Sequence, residues 1–179
     1  MAEIAARWFD PRRAVPEEEQ LDRFWQSLPY LIKKAMEAQE QAVSYRNFQV
    51  GCAFFVFKTK ADSAEGRWKV FSGSNVKVAP GSRTVCAEQI ALGTARATGY
   101  DRIIGIVICG TPQQEEGCTE NHPTLHPCKE CRAVFRVSPE ISRDTIIVTV
   151  TPDGKTHEVH TFGELLQIHG ETVNDGMTS

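Results

Sequence analysis

Two short segments carry residues whose types and spacing could do chemistry. One is Thr84-Val85-Cys86-Ala87-Glu88, and the other is Pro127-Cys128-Lys129-Glu130-Cys131-Arg132. Two cysteines separated by two residues at a helix start point to one side and can reach the same metal ion. Cys86, at the start of another helix, supplies a third thiolate. Three protein ligands leave zinc one open position, which is the arrangement of a catalytic site and not of a closed structural one. Glu88 sits beside such an ion without ligating it, placed to take a proton from water and return it to a substrate. Three thiolates outweigh the charge of one zinc ion, so the site is net negative. The two helix N-termini offset part of that charge and lower the thiol pKa values. Arg132, adjacent to Cys131, is placed to add a full positive charge. The competing readings are a structural zinc knot, which has no use for a free carboxylate beside the metal, and thiols brought together by coincidence.

These residues need elements to hold them. From Pro16 to Val43 the apolar positions Leu21, Phe24, Trp25, Leu28, Leu31, Ile32, Ala35 and Met36 fall on one helical stripe, which Pro29 is expected to interrupt. Gln49 to Phe57 is apolar on both faces and reads as a buried strand, returning through Trp68 to Ser74 as a hairpin. Asn75 to Thr84 reads as a loop. Cys86 to Thr98 is predicted helical and stopped by Gly99, and Cys128 to Val137 is a second helix bounded by Pro127 and Pro139. Ile103 to Cys109 and Thr145 to Val150 are β-branched runs and hence buried strands. Thr156 to His160 reads as an edge strand, and Phe162 to Ile168 as a short last helix. The fold class is α/β: a mixed β-sheet with helices on both faces. The organisation is an N-terminal arm over 1–16, which could dock through Trp8 and Phe9, one domain over 17–170, and a tail over 171–179.

Composition narrows the function. The chain has 179 residues, 41% apolar and 24% charged, with a net charge of −3 and no basic block. A nucleic-acid polymer is a poor partner for such a surface, and a small, roughly neutral substrate fits better. No apolar run has the length of a membrane span, and the first residues lack the pattern of a secretory signal, so a cytoplasmic location is expected. In that compartment six cysteines argue for metal binding or catalysis over disulfides. Cys52 and Cys109, inside apolar strands, read as buried packing residues.

At these motifs the chain resembles the cytidine deaminase superfamily, whose zinc sites combine such ligands with a non-ligand Glu and a P-C-x-x-C segment. The ligand set looks like the small homotetrameric three-cysteine branch that contains cytidine deaminases and blasticidin-S deaminases. The resemblance covers about residues 30–170. Ser44 to Ala53 is similar to the family's P-Y-S-x-F-x-V-G-A-A strand, Gly73-Ser74-Asn75-Val76 to its G-x-N-x segment, and Thr161 to Leu166 to its last helix start. The resemblance implies a three-layer cytidine-deaminase-like fold, one Zn2+ per chain, and hydrolysis of a cytosine nucleoside to its uracil form with release of ammonia. It implies that Phe48 lies against the base or sugar, that Asn75 binds a ribose hydroxyl, and that Ala87 offers backbone groups to the pyrimidine edge. The residue-level alternatives are a core aromatic for Phe48 and a turn residue for Asn75.

Three departures bear on substrate. Lys77 stands where a ribose-binding Glu is usual, and a cation cannot accept hydrogen bonds from sugar hydroxyls. It could instead pair with a phosphate or carboxylate. Gln89 stands where Arg often balances the thiolates. The stretch from Gly110 to Pro127 is long and holds Cys118, His122 and His126, which could cover the site; the ordinary expectation for loop histidines is solvation, with extra metal ligation as the alternative. A modified cytosine nucleoside such as blasticidin S, plain cytidine or deoxycytidine, and a cytosine nucleotide all stay open, as does a non-catalytic zinc module.

Overall fold

A computed structural model describes residues 16–60, 67–80, 82–112 and 122–171. The expected arm, with Trp8 and Phe9, lies outside these residues except for Pro16, as do Cys118 and the tail beyond Glu171. The first helix, α1 (Glu18–Glu40), starts where the Glu17 N–H donates to the Gln20 side-chain oxygen at 3.1 Å, with Glu18 and Glu19 in the first turn favouring the positive helix end. It runs unbroken through Pro29, contrary to the expected interruption. Pro29 lies on the exposed face, so the carbonyl of Trp25 that it leaves without an intrahelical donor faces water, and burial of Phe24, Leu31 and Ala35 holds both halves in line.

After β1 (Val43–Ser44) come β2 (Val50–Phe57), β3 (Trp68–Ser74), β4 (Val76–Lys77), α2 (Ala87–Ala97), β5 (Arg102–Gly110), α3 (Lys129–Arg136), β6 (Ile146–Val150), β7 (His157–Thr161) and α4 (Phe162–Ile168). Five strands form one mixed sheet in the order β3-β2-β5-β6-β7. β2 pairs antiparallel with β3 and β5, β5 pairs parallel with β6, and β6 pairs antiparallel with the edge strand β7. β1 and β4 add a two-residue parallel ladder that the polar composition of the 75–84 stretch does not foretell.

The two faces carry separate cores. On one, Phe24, Leu31 and Ala35 of α1 pack on Ala53, Phe55, Val107 and Val148. On the other, Ala91 of α2, Phe135 of α3 and Leu165 of α4 cover Cys52, Phe54, Ile106 and Ile147. This is the three-layer α/β arrangement expected, and it explains why β2 and β5 are apolar on both sides. The Phe54 and Phe135 rings meet edge to face at 6.2 Å, so truncating either costs about 3–5 kcal/mol.

Two glycines set how closely helices lie on the sheet. A Cβ on Gly51 would fall 2.2 Å from the Ala35 carbonyl oxygen of α1. A Cβ on Gly73 would fall 2.1 Å from the Ala87 carbonyl oxygen in the first turn of α2. Only a bare backbone lets α2 descend there, and that contact fixes the height of Cys86 and Glu88 above the sheet.

Candidate active site

Both ligand segments stand at helix starts. Cys86 and Cys128 are the N-cap residues of α2 and α3, with extended backbone dihedrals, and Cys131 follows in the first turn of α3. The residue before each helix body is free of helical geometry, so its side chain turns out past the end of the helix. The Cys86 and Cys128 sulfurs are 3.8 Å apart, and the three sulfurs lie within 4.8 Å of one another. A tetrahedral zinc with bonds of about 2.3 Å holds its sulfurs about 3.8 Å apart, so the cluster fits a zinc ion. The thiols compete for charge. Hydrogen bonds from the Cys131 and Cys86 thiols, then from the backbone N–H groups of Cys131 and Glu130, hold Cys128 down to about 2. Acting as donor to Cys128 pushes Cys86 up to about 12, and the same role with burial raises Cys131. A divalent ion held by these sulfurs would replace the shared protons.

Glu88, in the first turn of α2, is 4% exposed and lines the same pocket as Cys86 and Cys128. Burial lifts its carboxyl to about 7, against backbone and thiol hydrogen bonds that lower it. Such a group holds and releases a proton readily near neutrality.

The other residues singled out in the sequence divide. Ala87 is fully buried and lines the pocket beside Glu88. Phe48 lines it too, half-buried, delivered by a turn in which Asn47 takes a φ of 54°, a conformation Asn tolerates. Asn75 is buried in the wall. Its Oδ1 accepts from the Val50 N–H and its Nδ2 donates to the Phe48 carbonyl, both at 2.8 Å. One amide hydrogen and one oxygen lone pair remain beyond these bonds. Lys77 stands on β4 with its ammonium 5.8 Å over the Tyr45 ring, and it does not line the pocket. Gln89 is half-buried on α2, also off the lining. Cys52 and Cys109 are buried in β2 and β5 as expected.

Arg132 is almost wholly buried, and its charge is met from an unexpected quarter. Its Nε and Nη2 contact Glu171 Oε1 at 2.9 and 2.8 Å, and its Nη1 donates to the Pro127 carbonyl at 2.6 Å. Glu171 also pairs with Arg136. Nothing local in the sequence marks Glu171, because the pairing spans 39 residues. Glu171→Ala should cost about 3 kcal/mol, since it takes the paired carboxylate away from a buried guanidinium. Denaturant unfolding of the two proteins checks this, and a loss under about 1 kcal/mol would contradict it.

Loop histidines are ordinarily solvated; here His126 is buried, and His122, Thr124, Leu125 and His126 form one pocket wall with His169. His122 and His126 stood out in the sequence as loop residues, whereas His169 carried no signal beyond its residue type.

The chain matches the family model of the cytidine and deoxycytidylate deaminase zinc-binding region over residues 26–149, a span that holds Cys86, Glu88, Cys128 and Cys131. Among solved structures it is similar to the cytidine deaminase from Burkholderia pseudomallei, with 29% identity over 76% of this chain and 94% of that one and a TM-score of 0.58. It is also similar to the cytidine deaminase from Mycobacterium leprae, with 26% identity over 78% of this chain and 96% of that one and a TM-score of 0.52.

Proposed function

The chain belongs to the cytidine and deoxycytidylate deaminase zinc-binding family, and on that premise we propose that it hydrolyses the exocyclic amine of a cytosine nucleoside. The observation that carries this reading is the buried carboxyl of Glu88 sharing one pocket with Cys86 and Cys128, two of three cysteines spaced for zinc. The enzyme is a hydrolase of cyclic amidine C–N bonds, using one zinc per chain. When bound, zinc supplies Lewis acidity that makes a water nucleophilic near neutral pH.

The chain's own residues do the rest. Glu88 accepts a proton from the attacking water and delivers it to the ring nitrogen, which makes the amine-bearing carbon more electrophilic. The same carboxyl then takes the second proton from the hydroxyl now on that carbon and passes it to the departing amine, so the carbonyl forms as ammonia leaves. Ala87 presents backbone groups to the pyrimidine edge, and Phe48 lies against the base or sugar. The remaining amide hydrogen of Asn75 meets a ribose hydroxyl. Gln89 and Arg132 set the electrostatics around the thiolates, Arg132 with its charge shared with Glu171.

The substrate is a nucleoside, either cytidine or deoxycytidine or a modified cytosine nucleoside of the blasticidin S kind. Lys77 lies off the pocket lining, so it is given no contact with the base. Several exposed apolar residues adjoin the β1–β4 ladder, among them Val43, Tyr45, Val76 and Val85, and they support association into a homotetramer. No helix among the described residues is long and apolar enough to cross a membrane.

The test is a panel of cytidine, deoxycytidine, cytosine, a cytidine nucleotide and blasticidin S, followed by ultraviolet loss and ammonia release. Turnover of a nucleoside supports the proposal. Turnover of the nucleotide alone moves the assignment to a nucleotide deaminase, and no turnover with full zinc favours a non-catalytic module. Gly73→Ala, which lifts the first turn of α2, should lower kcat about 100-fold, because a displacement near 1 Å is enough for that loss. A kcat within threefold of wild type would show that α2 does not depend on that contact.

A further inference from the structure

Four of the chain's five histidines form one cluster, His122, His126, His160 and His169, and three of them, His122, His126 and His169, line the pocket. We propose that His122, His126 and Glu158 bind a second divalent transition-metal ion of the zinc type, separate from the three-cysteine centre. The ligand atoms of these three residues lie within 4.8 Å of one another. His122 and His126 stack with ring centroids 4.0 Å apart, and Glu158 reaches them from β7.

Hydrogen bonding alone leaves this cluster incomplete. The His126 side chain is 4% exposed, and its Nε2 has no hydrogen-bond partner among the described residues. That nitrogen lies 3.5 Å from Glu158 Oε2, too far for a hydrogen bond. Two N/O ligands on a tetrahedral zinc, each at about 2.1 Å, lie about 3.4 Å apart, which matches the observed spacing. Drawing in the widest pair asks for a closure of at most about 1.4 Å.

The surroundings have the form that metal ligands need. His126 Nδ1 is hydrogen-bonded to His169 Nε2 at 3.1 Å, which orients the ring and leaves Nε2 as the outward lone pair. Glu158 Oε2 accepts from the Thr124 hydroxyl, itself bonded to Thr149 at 2.6 Å, so the carboxylate is also held. His160 Nε2, 3.7 Å from Glu158 Oε1, is a second buried nitrogen without a hydrogen-bond partner among the described residues. Two imidazoles and one carboxylate suit zinc, cobalt or nickel, whereas calcium and magnesium take oxygen ligands. An ion here ties the 122–127 segment, one wall of the pocket, to the edge strand β7.

The test loads purified protein with excess Zn2+, desalts it and counts metal per chain, then repeats the loading with Co2+. Thiolate ligands give cobalt an intense near-ultraviolet charge-transfer band that imidazole and carboxylate do not. Two metals per wild-type chain are expected, and one in both His122→Asn and Glu158→Gln, with the thiolate band equal in all three. A wild type that keeps one metal with that band intact overturns the proposal, and so do variants that keep two. A wild type without the band, holding one metal that both variants lose, upholds this site and sinks the three-cysteine reading instead.

Discussion

Glu88→Gln is expected to lower kcat at least about 10³-fold while the protein keeps its three-cysteine metal. General acid–base catalysis contributes about 10²–10⁴-fold, and the proposed mechanism uses Glu88 for more than one transfer, to the ring nitrogen and to the leaving amine. Gln fills the same volume in a site that is 4% exposed, so the pocket keeps its shape. It cannot carry a proton between those atoms. The substitution also removes an ionisable group held against three sulfurs, so thermal stability should hold or rise slightly. Single-turnover kinetics, metal content and a melting curve, taken together, separate a lost proton carrier from a damaged fold. Turnover above a tenth of wild type would end the assignment of Glu88 as the proton carrier.

Cys128→Ala is expected to abolish metal retention at the cysteine centre and to destabilise the protein. Cys128 carries the most acidic of the three thiols, the one that both neighbours donate to. Removing it leaves two sulfurs on different helices, too few to hold a zinc ion against exchange. A ligand at about a thousandfold over its Kd stabilises the native state by about 4 kcal/mol. At about 2–4 °C per kcal/mol for a domain of this size, the Tm should fall by about 10 °C. The cobalt thiolate band reports the loss directly. A variant that keeps the band at full intensity would remove Cys128 from the ligand set. Removing zinc from the wild type with a chelator should lower its Tm by a similar amount.

The ligands and Glu88 were legible because each sits within a few residues of a helix start, and spacing alone places such residues. The strands β2 and β5 were legible because a sheet covered on both faces leaves no polar positions to blur the pattern. Pro29 misled because its local cost was outweighed by a long apolar stripe and by exposure of the carbonyl it orphans. The β1–β4 ladder is two residues long, below the length at which alternation can register. Asn75 is marked by its motif, but its double clamp on Val50 and Phe48 depends on contacts 25 and 27 residues away. The histidine cluster draws on the 122–126 segment, β7 and the end of α4, and no window of sequence holds all three. Glu171 reads as part of a tail in the sequence for the same reason, since its partners are defined only once α3 is in place.

One consequence of the topology concerns how the site comes into being. Cys128 and Cys131 lie on α3, the helix of the crossover that joins the parallel strands β5 and β6, while Cys86 lies on α2, ahead of β5. Parallel pairing needs a long connection closed before any contact rewards it, and it is the slow kind of contact to form. The three sulfurs therefore converge only in molecules that have completed that crossover, and metal capture becomes a checkpoint at the end of folding. In a refolding experiment the thiolate–cobalt band should lag behind hydrophobic collapse and rise with the final native phase, so that metal uptake counts finished molecules.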